Sequence, residues 1–189
     1  MKKKTSAVLL ILLVVSISLG IMILPTLFTK SISRVTLNQE LNLPLILNDK
    51  KDIEIIFFGY SGCADICTPR LHALAHFYDT LSKSSRQRVG ITFLDISLPT
   101  SKTLPSQFAK SFHHDFKGIY LKNTVLRDYT KAFRVYFSKS LMDKTEYDHT
   151  TNLYIVKKDK TKKEMRFIYT AYPYDFKQIN ADIKELLNG

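Results

Sequence analysis

Cysteine is scarce in this chain of 189 residues: two are present, Cys63 and Cys67, and tryptophan is absent. So few cysteines exclude a small domain held together by several disulfides. They also exclude a four-cysteine zinc site or iron–sulfur cluster built by one chain. Glycine and proline are also few, at 6 each, which excludes collagen-like and low-complexity sequences. Any chemistry of the cysteines must therefore be the chemistry of one pair.

Acidic residues are outnumbered, 17 against 28 basic residues, which gives a net charge of +11. Hydrophobic residues make up 45% and charged residues 24% of the chain, as in an ordinary globular domain, so disorder is excluded. The lysines clustered at 157–163 lie in a predicted hairpin turn. Lysine-rich turns are normally solvated and discourage strand addition, so we predict no nucleic-acid partner.

Charge is missing altogether between Lys4 and Lys30. The apolar run from Ala7 to Phe28 is long enough, at about 1.5 Å per residue, to cross a bilayer as a helix. The alternative is a cleaved secretory signal, whose apolar part usually has about 7–15 residues. The length of the run favours the first interpretation, in which residues 1–29 form a single transmembrane anchor. The lysines before the apolar run predict that the N-terminus lies in the cytoplasm.

Either interpretation exports residues 30–189 as one domain, into the periplasm or another extracytoplasmic space. Continuous apolar runs predict buried strands, and apolar residues at helical spacing predict helices. The predicted strands are 35–37, 45–47, 53–59, 89–96, 117–121, 153–158 and 164–170, and the predicted helices are 69–83, 105–113, 123–136 and 175–187. This order predicts an α/β fold in which a central mixed sheet is flanked by helices and the chain closes with a β-hairpin and a helix.

The two cysteines lie between a predicted buried strand and a predicted helix, in the segment FFGYSGCADICTPRL at 57–71. This edge of a sheet is where α/β folds usually hold their sites. Pro69 suits the first helical position and Thr68 the N-cap, so both thiols are predicted in a turn ahead of the helix. Because the helix dipole favours a thiolate there, we expect Cys67 to ionise more readily than a free cysteine.

The spacing of the cysteines allows two kinds of chemistry. Two sulfurs separated by three residues can form a disulfide or bind one metal ion, and the spacing alone leaves both open. His149 is the candidate third ligand, because it precedes a strand and the crossover topology can return it to the same crevice. Two thiolates and one imidazole form a low-coordinate site suited to copper.

The segment at 57–71 resembles the FGYTxCPDVCP signature of the Sco/SenC family, which comprises membrane-anchored copper metallochaperones of respiratory oxidase assembly with a thioredoxin-like fold. FHHDFKG at 112–118 resembles that family's FHPDFxG, and YDHTTNLY at 147–154 resembles its VDHTxxxYL. The likeness implies a thioredoxin-like fold. It also implies a copper site formed by Cys63, Cys67 and His149, in which Asp65 and Asp148 support the ligands.

The resemblance implies a function as well. Copper, held as Cu(I), would be delivered to subunit II of a cytochrome c oxidase, and whether Cu(II) also binds is left open. The alternative is a thiol–disulfide oxidoreductase in which Cys63 and Cys67 are the redox pair. The chain departs from the family at Ala64 and Thr68, where prolines are expected, and it lacks an acidic segment near 97–107. These departures alter the loops that control access while keeping the ligands.

Overall fold

The computed structural model describes residues 13–18, 33–43, 50–97, 101–159 and 162–189. The chain divides into two units, Met1–Ile32 and Ser33–Gly189. In the first unit, residues 13–18 are helical and exposed. No helix among the described residues is long and apolar enough to cross a bilayer, which takes about 20 residues. The predicted transmembrane helix within residues 1–29 is therefore not supported and is corrected, and residues 1–12 and 19–29 lie outside the described residues.

The described residues of the second unit form a six-stranded sheet in the order β1-β8-β7-β2-β3-β4, and β5 and β6 form a separate two-stranded sheet. The strands are β1 (Arg34–Glu40), β2 (Ile53–Gly59), β3 (Val89–Asp95), β4 (Lys117–Tyr120), β5 (Phe137–Lys139), β6 (Tyr147–His149), β7 (Leu153–Lys158) and β8 (Lys163–Tyr169). Parallel pairing joins β2, β3 and β4, whereas β7, β8 and β1 are added in antiparallel pairs. The predicted mixed sheet is confirmed.

In the part of this unit that the structure describes, five helices accompany the sheet: α1 (Cys67–Thr80), α2 (Lys83–Arg88), α3 (Leu104–Phe112), α4 (Asn123–Phe133) and α5 (Phe176–Asn188). On one face, Phe93 of β3 packs against Phe108 of α3 at a ring distance of 5.3 Å. On the other face, Phe58 of β2 packs against Phe133 of α4 at 5.4 Å. Successive side chains of a strand point to opposite faces, so helices cover both. This explains why β2 and β3 are buried along their whole length.

Several predicted boundaries differ from the structure. Helix α1 begins at Cys67 and has no side-chain N-cap, because Ile66 stands at the N-cap position; Thr68 lies inside the helix and donates its hydroxyl hydrogen bond to the carbonyl of Cys63. Helix α4 ends at Phe133, where Arg134 turns the chain with a φ of 54°. The hairpin of β5 and β6 was not predicted, because its short strands carry no buried apolar run. The predicted strand at 45–47 lies outside the described residues.

The topology brings the two sequence-distant parts of the site to one end of the sheet. Gly59 and Asp95 are paired at the carboxyl ends of the parallel strands β2 and β3. From Gly59 the chain enters residues 60–66, which we call the cysteine turn, and then α1. The β5–β6 hairpin ends at His149, which is close enough to contact Cys67. The site therefore forms where open α/β sheets usually hold one.

Candidate metal centre

The cysteine turn and the first residue of α1 hold the two thiols. Cys63 and Cys67 are both free and buried. The backbone N–H of Cys67 donates a hydrogen bond to Sγ of Cys63 at 3.2 Å, and the hydroxyl of Thr68 donates to the Cys63 carbonyl at 2.8 Å. The start of the helix therefore orients Cys63 and offers its sulfur an amide hydrogen.

The two thiols differ in how readily they ionise. Hydrogen bonding to Cys67 lowers the pKa of Cys63, and the backbone N–H groups of Cys67 and Ile66 lower it further, although burial acts in the opposite direction. The pKa of Cys67 is raised by its hydrogen bond to Cys63 and by burial. The expectation that Cys67 ionises more readily than a free cysteine is wrong, because its thiol is hydrogen-bonded to Cys63 and is buried.

His149 completes the group of three side chains. Its Nε2 lies 3.8 Å from Sγ of Cys67, and its Nδ1 lies 3.0 Å from the carbonyl oxygen of Thr150. A carbonyl oxygen only accepts hydrogen bonds, so the neutral ring carries its proton on Nδ1. The lone pair of Nε2 therefore faces the cysteines, which is the arrangement of a histidine ready to bind a metal ion.

The donor atoms of Cys63, Cys67 and His149 all lie within 4.8 Å of one another. Bonds from sulfur or imidazole nitrogen to a transition metal are about 2.0–2.3 Å long, so a small side-chain movement brings all three atoms onto one ion. Soft thiolates with an imidazole suit Cu(I) better than a hard oxygen-seeking ion. The same two sulfurs can also approach each other to form a disulfide.

Tyr60 holds the hairpin against the cysteine turn. Its buried ring lies 5.3 Å from the ring of Tyr147 and, edge-on, 6.0 Å from the ring of His149. Burial raises the pKa of Tyr60, and interaction with Cys63 raises it further. The phenol therefore stays protonated and can donate a hydrogen bond toward the Cys63 sulfur.

Sequence reasoning assigned no role to two residues beneath the site. The first is Asp95, which is fully buried; its carboxylate accepts hydrogen bonds from the backbone N–H and the hydroxyl of both Ser61 and Ser97. The second is Gly59. A Cβ atom added to it would lie 2.7 Å from Sγ of Cys67, so glycine is needed for the sulfur to pack this closely. Their positions at the ends of buried strands are the signal that could have identified them.

The two aspartates predicted to support the ligands are exposed. Asp65 lies in the cysteine turn, and Asp148 lies on β6 next to His149. Among the described hydrogen bonds, neither carboxylate contacts Cys63, Cys67 or His149. Their supporting role, like the copper-ligand role of the three side chains themselves, stays a prediction.

The surface next to His149 is open and partly apolar. A cavity of about 470 Å³ is lined by Tyr136, Phe137, Ser138, Asp148, His149 and Thr150. In the turn of the same hairpin, the side chains of Leu141 and Met142 are each 97% exposed. His149 is therefore reached from solvent on one side, while the cysteines are buried on the other.

The family model described as SCO1/SenC matches residues 50–188, which include all three candidate ligands. The chain belongs to the SCO1/SenC family. This confirms the resemblance seen in the sequence. One SCO1/SenC relative, the mitochondrial protein SCO1 homolog 1 of Arabidopsis thaliana, is 26% identical over 139 residues, which are 71% of this chain and 38% of the relative. The chain therefore spans well under half the length of that relative.

Solved Sco structures share the fold of this SCO1/SenC domain. Apo Sco1 of Thermus thermophilus matches with a TM-score of 0.62 at 24% identity, covering 84% of this chain and 95% of that one. Arabidopsis thaliana ScoI with copper bound matches with a TM-score of 0.60 at 23% identity. The match covers 74% of this chain and 86% of that one. The predicted thioredoxin-like α/β fold of the Sco proteins is confirmed.

Proposed function

We propose that this SCO1/SenC protein binds one Cu(I) ion through Cys63, Cys67 and His149 and delivers it to a copper site of a respiratory oxidase, subunit II of a cytochrome c oxidase. The convergence of the three donor atoms within 4.8 Å carries the proposal. A related structure of the same fold is described with copper bound, which supports copper as the ion. Residues 30–189 are the proposed exported domain.

Transfer requires that copper leave by exchange of one ligand at a time. The half-buried His149 lies on the open side of the site, whereas Cys63 and Cys67 are buried behind it. An acceptor can therefore displace the imidazole first while both thiolates still hold the ion. Copper stays Cu(I) throughout, and no substrate bond is made or broken.

The second candidate function is thiol–disulfide exchange, favoured by the lowered pKa of Cys63. The Cys63 thiolate would attack a partner disulfide and form a mixed disulfide. The Cys67 thiol would then lose its proton and attack the Cys63 sulfur. The partner leaves with its two cysteines reduced. Cys63 and Cys67 have lost two electrons to it and are joined in a disulfide.

The test of copper binding is an anaerobic Cu(I) titration of the reduced full-length chain against a competing chelator of known affinity. We expect a one-to-one complex that remains intact in the presence of the chelator. A protein that fails to compete for Cu(I) but readily cycles its disulfide would refute copper delivery and leave thiol exchange. Mixing the loaded protein with the copper-free acceptor domain should then move the ion to the acceptor.

His149→Ala is expected to separate the two functions. The imidazole contributes a ligand to copper but no atom to the disulfide, so Cu(I) affinity should fall by at least about tenfold while the reduction potential of the cysteine pair changes little. Chelator competition measures the first quantity, and equilibration with glutathione measures the second.

A matched control is His76→Ala, which removes an exposed histidine from α1. It should change neither the copper affinity nor the potential. Equal losses of copper binding and dithiol oxidation in His149→Ala would show that the histidine supports the local structure rather than the ion.

A further inference from the structure

A second group of metal-binding side chains lies away from the cysteines. His113, His114 and Asp115 follow α3 directly, and their donor atoms lie within 4.8 Å of one another. Asp79 of α1 contacts His113. Asp79 follows Cys67 in the same helix, and at 1.5 Å per residue the two lie about 18 Å apart along the helix axis. The two groups are therefore too far apart to share one ion.

His113 is held in one orientation before any ion binds. The backbone N–H of Asp115 donates to its Nδ1 at 3.1 Å, so the neutral ring carries its proton on Nε2. That nitrogen faces Oδ1 of Asp79 at 3.2 Å. The ring packs against Tyr78 and Phe116, at ring distances of 5.0 and 5.2 Å, and its side chain is only 9% exposed. Little conformational freedom would be lost when a metal ion replaces the Nε2 proton.

His114 and Asp115 stand on the open side of this fixed ring. The ring of His114 stacks on that of His113 at 4.4 Å with 25° between the planes, and its side chain is 84% exposed. Its Nε2 lies 3.5 Å from Oδ1 of Asp115. An ion arriving from solvent therefore meets two imidazoles and a carboxylate. The Asp79 carboxylate adds a further negative charge, although Arg86 lies 3.7 Å from it and opposes a cation.

We propose that His113, His114 and Asp115, with Asp79 beside them, form a second metal site that binds a divalent first-row transition ion. Imidazole and carboxylate donors suit Cu²⁺, Ni²⁺ and Zn²⁺ rather than Cu(I), and Cu²⁺ binds most tightly in this series. Among copper ions, this second site is therefore proposed to bind Cu²⁺, whereas the cysteine site is proposed to bind Cu(I). It is independent of the proposed copper delivery.

The test uses the full-length chain with the first group removed by Cys63→Ser, Cys67→Ser and His149→Ala. Cu²⁺ added to this background should bind with one-to-one stoichiometry by calorimetry. The electron paramagnetic resonance spectrum should show coupling to two imidazole nitrogens. A further His114→Ala should lower the affinity by at least about tenfold and remove one nitrogen coupling. Because His114 is exposed, that variant is expected to fold normally.

The matched control is again His76→Ala, an exposed histidine outside the group, which should leave both the affinity and the spectrum unchanged. If the background variant fails to fold, wild-type chain with Cys63 and Cys67 oxidised to a disulfide serves in its place. Absence of Cu²⁺ binding overturns the proposal. It is equally overturned if His114→Ala binds like its parent, or if His76→Ala weakens binding as much as His114→Ala.

Discussion

Cys67→Ser is expected to remove tight Cu(I) binding while leaving the domain folded. A serine hydroxyl is a hard, weak ligand for Cu(I), so only Cys63 and His149 would still hold the ion. The backbone N–H of residue 67 would remain to orient the Cys63 sulfur. We expect the Cu(I) affinity to fall by about a hundredfold or more, beyond the effect of residues that only support ligands.

The measurement is chelator competition under anaerobic conditions, together with a thermal unfolding curve for each variant. Ala64→Ser is the matched control, because it introduces the same hydroxyl at an exposed position of the cysteine turn. It should retain wild-type affinity. Wild-type affinity in folded Cys67→Ser would contradict the assignment of Cys67 as a ligand, and with it the three-ligand site.

Asp95→Ala is expected to give the largest loss of stability among substitutions beneath the site. The buried carboxylate accepts four hydrogen bonds, two from Ser61 and two from Ser97. Its removal leaves two backbone N–H groups without an acceptor, and each unsatisfied buried group costs about 1–3 kcal/mol. With the cavity added, the free energy of unfolding should fall by about 3 kcal/mol or more.

Urea denaturation of the reduced protein measures that loss. Ser97→Ala removes one hydroxyl donor and keeps the carboxylate, so its loss should be about 1 kcal/mol. The loss of stability in Asp95→Asn should lie between those of Asp95→Ala and Ser97→Ala, because the amide keeps one acceptor oxygen. Since Ser61 belongs to the cysteine turn, Asp95→Ala should also weaken Cu(I) binding. Unchanged stability in Asp95→Ala would show that the four hydrogen bonds do not hold the turn.

The buried strands were predictable because their apolar runs are local and continuous. Ile53–Gly59 is a strand with the predicted bounds, and Val89–Asp95 differs by one residue from its prediction. The helix ends were less predictable, since they depend on contacts with distant residues. Thr68, a natural N-cap by its chemistry, instead bonds the carbonyl of Cys63, and α1 starts earlier than its proline indicates.

The sequence by itself indicated the family, the α/β alternation and the candidate ligands Cys63, Cys67 and His149, because each depends on residue type and spacing. Only the tertiary structure decided which thiol ionises more readily, since that depends on the hydrogen bond between Cys63 and Cys67 and on the burial of each thiol. It alone placed His149 at 3.8 Å from Cys67 and Asp79 beside His113, contacts between residues far apart in the chain. It also corrected the predicted N-terminal transmembrane helix, because an apolar run allows a membrane-spanning helix but does not by itself establish one, and no described helix is long and apolar enough.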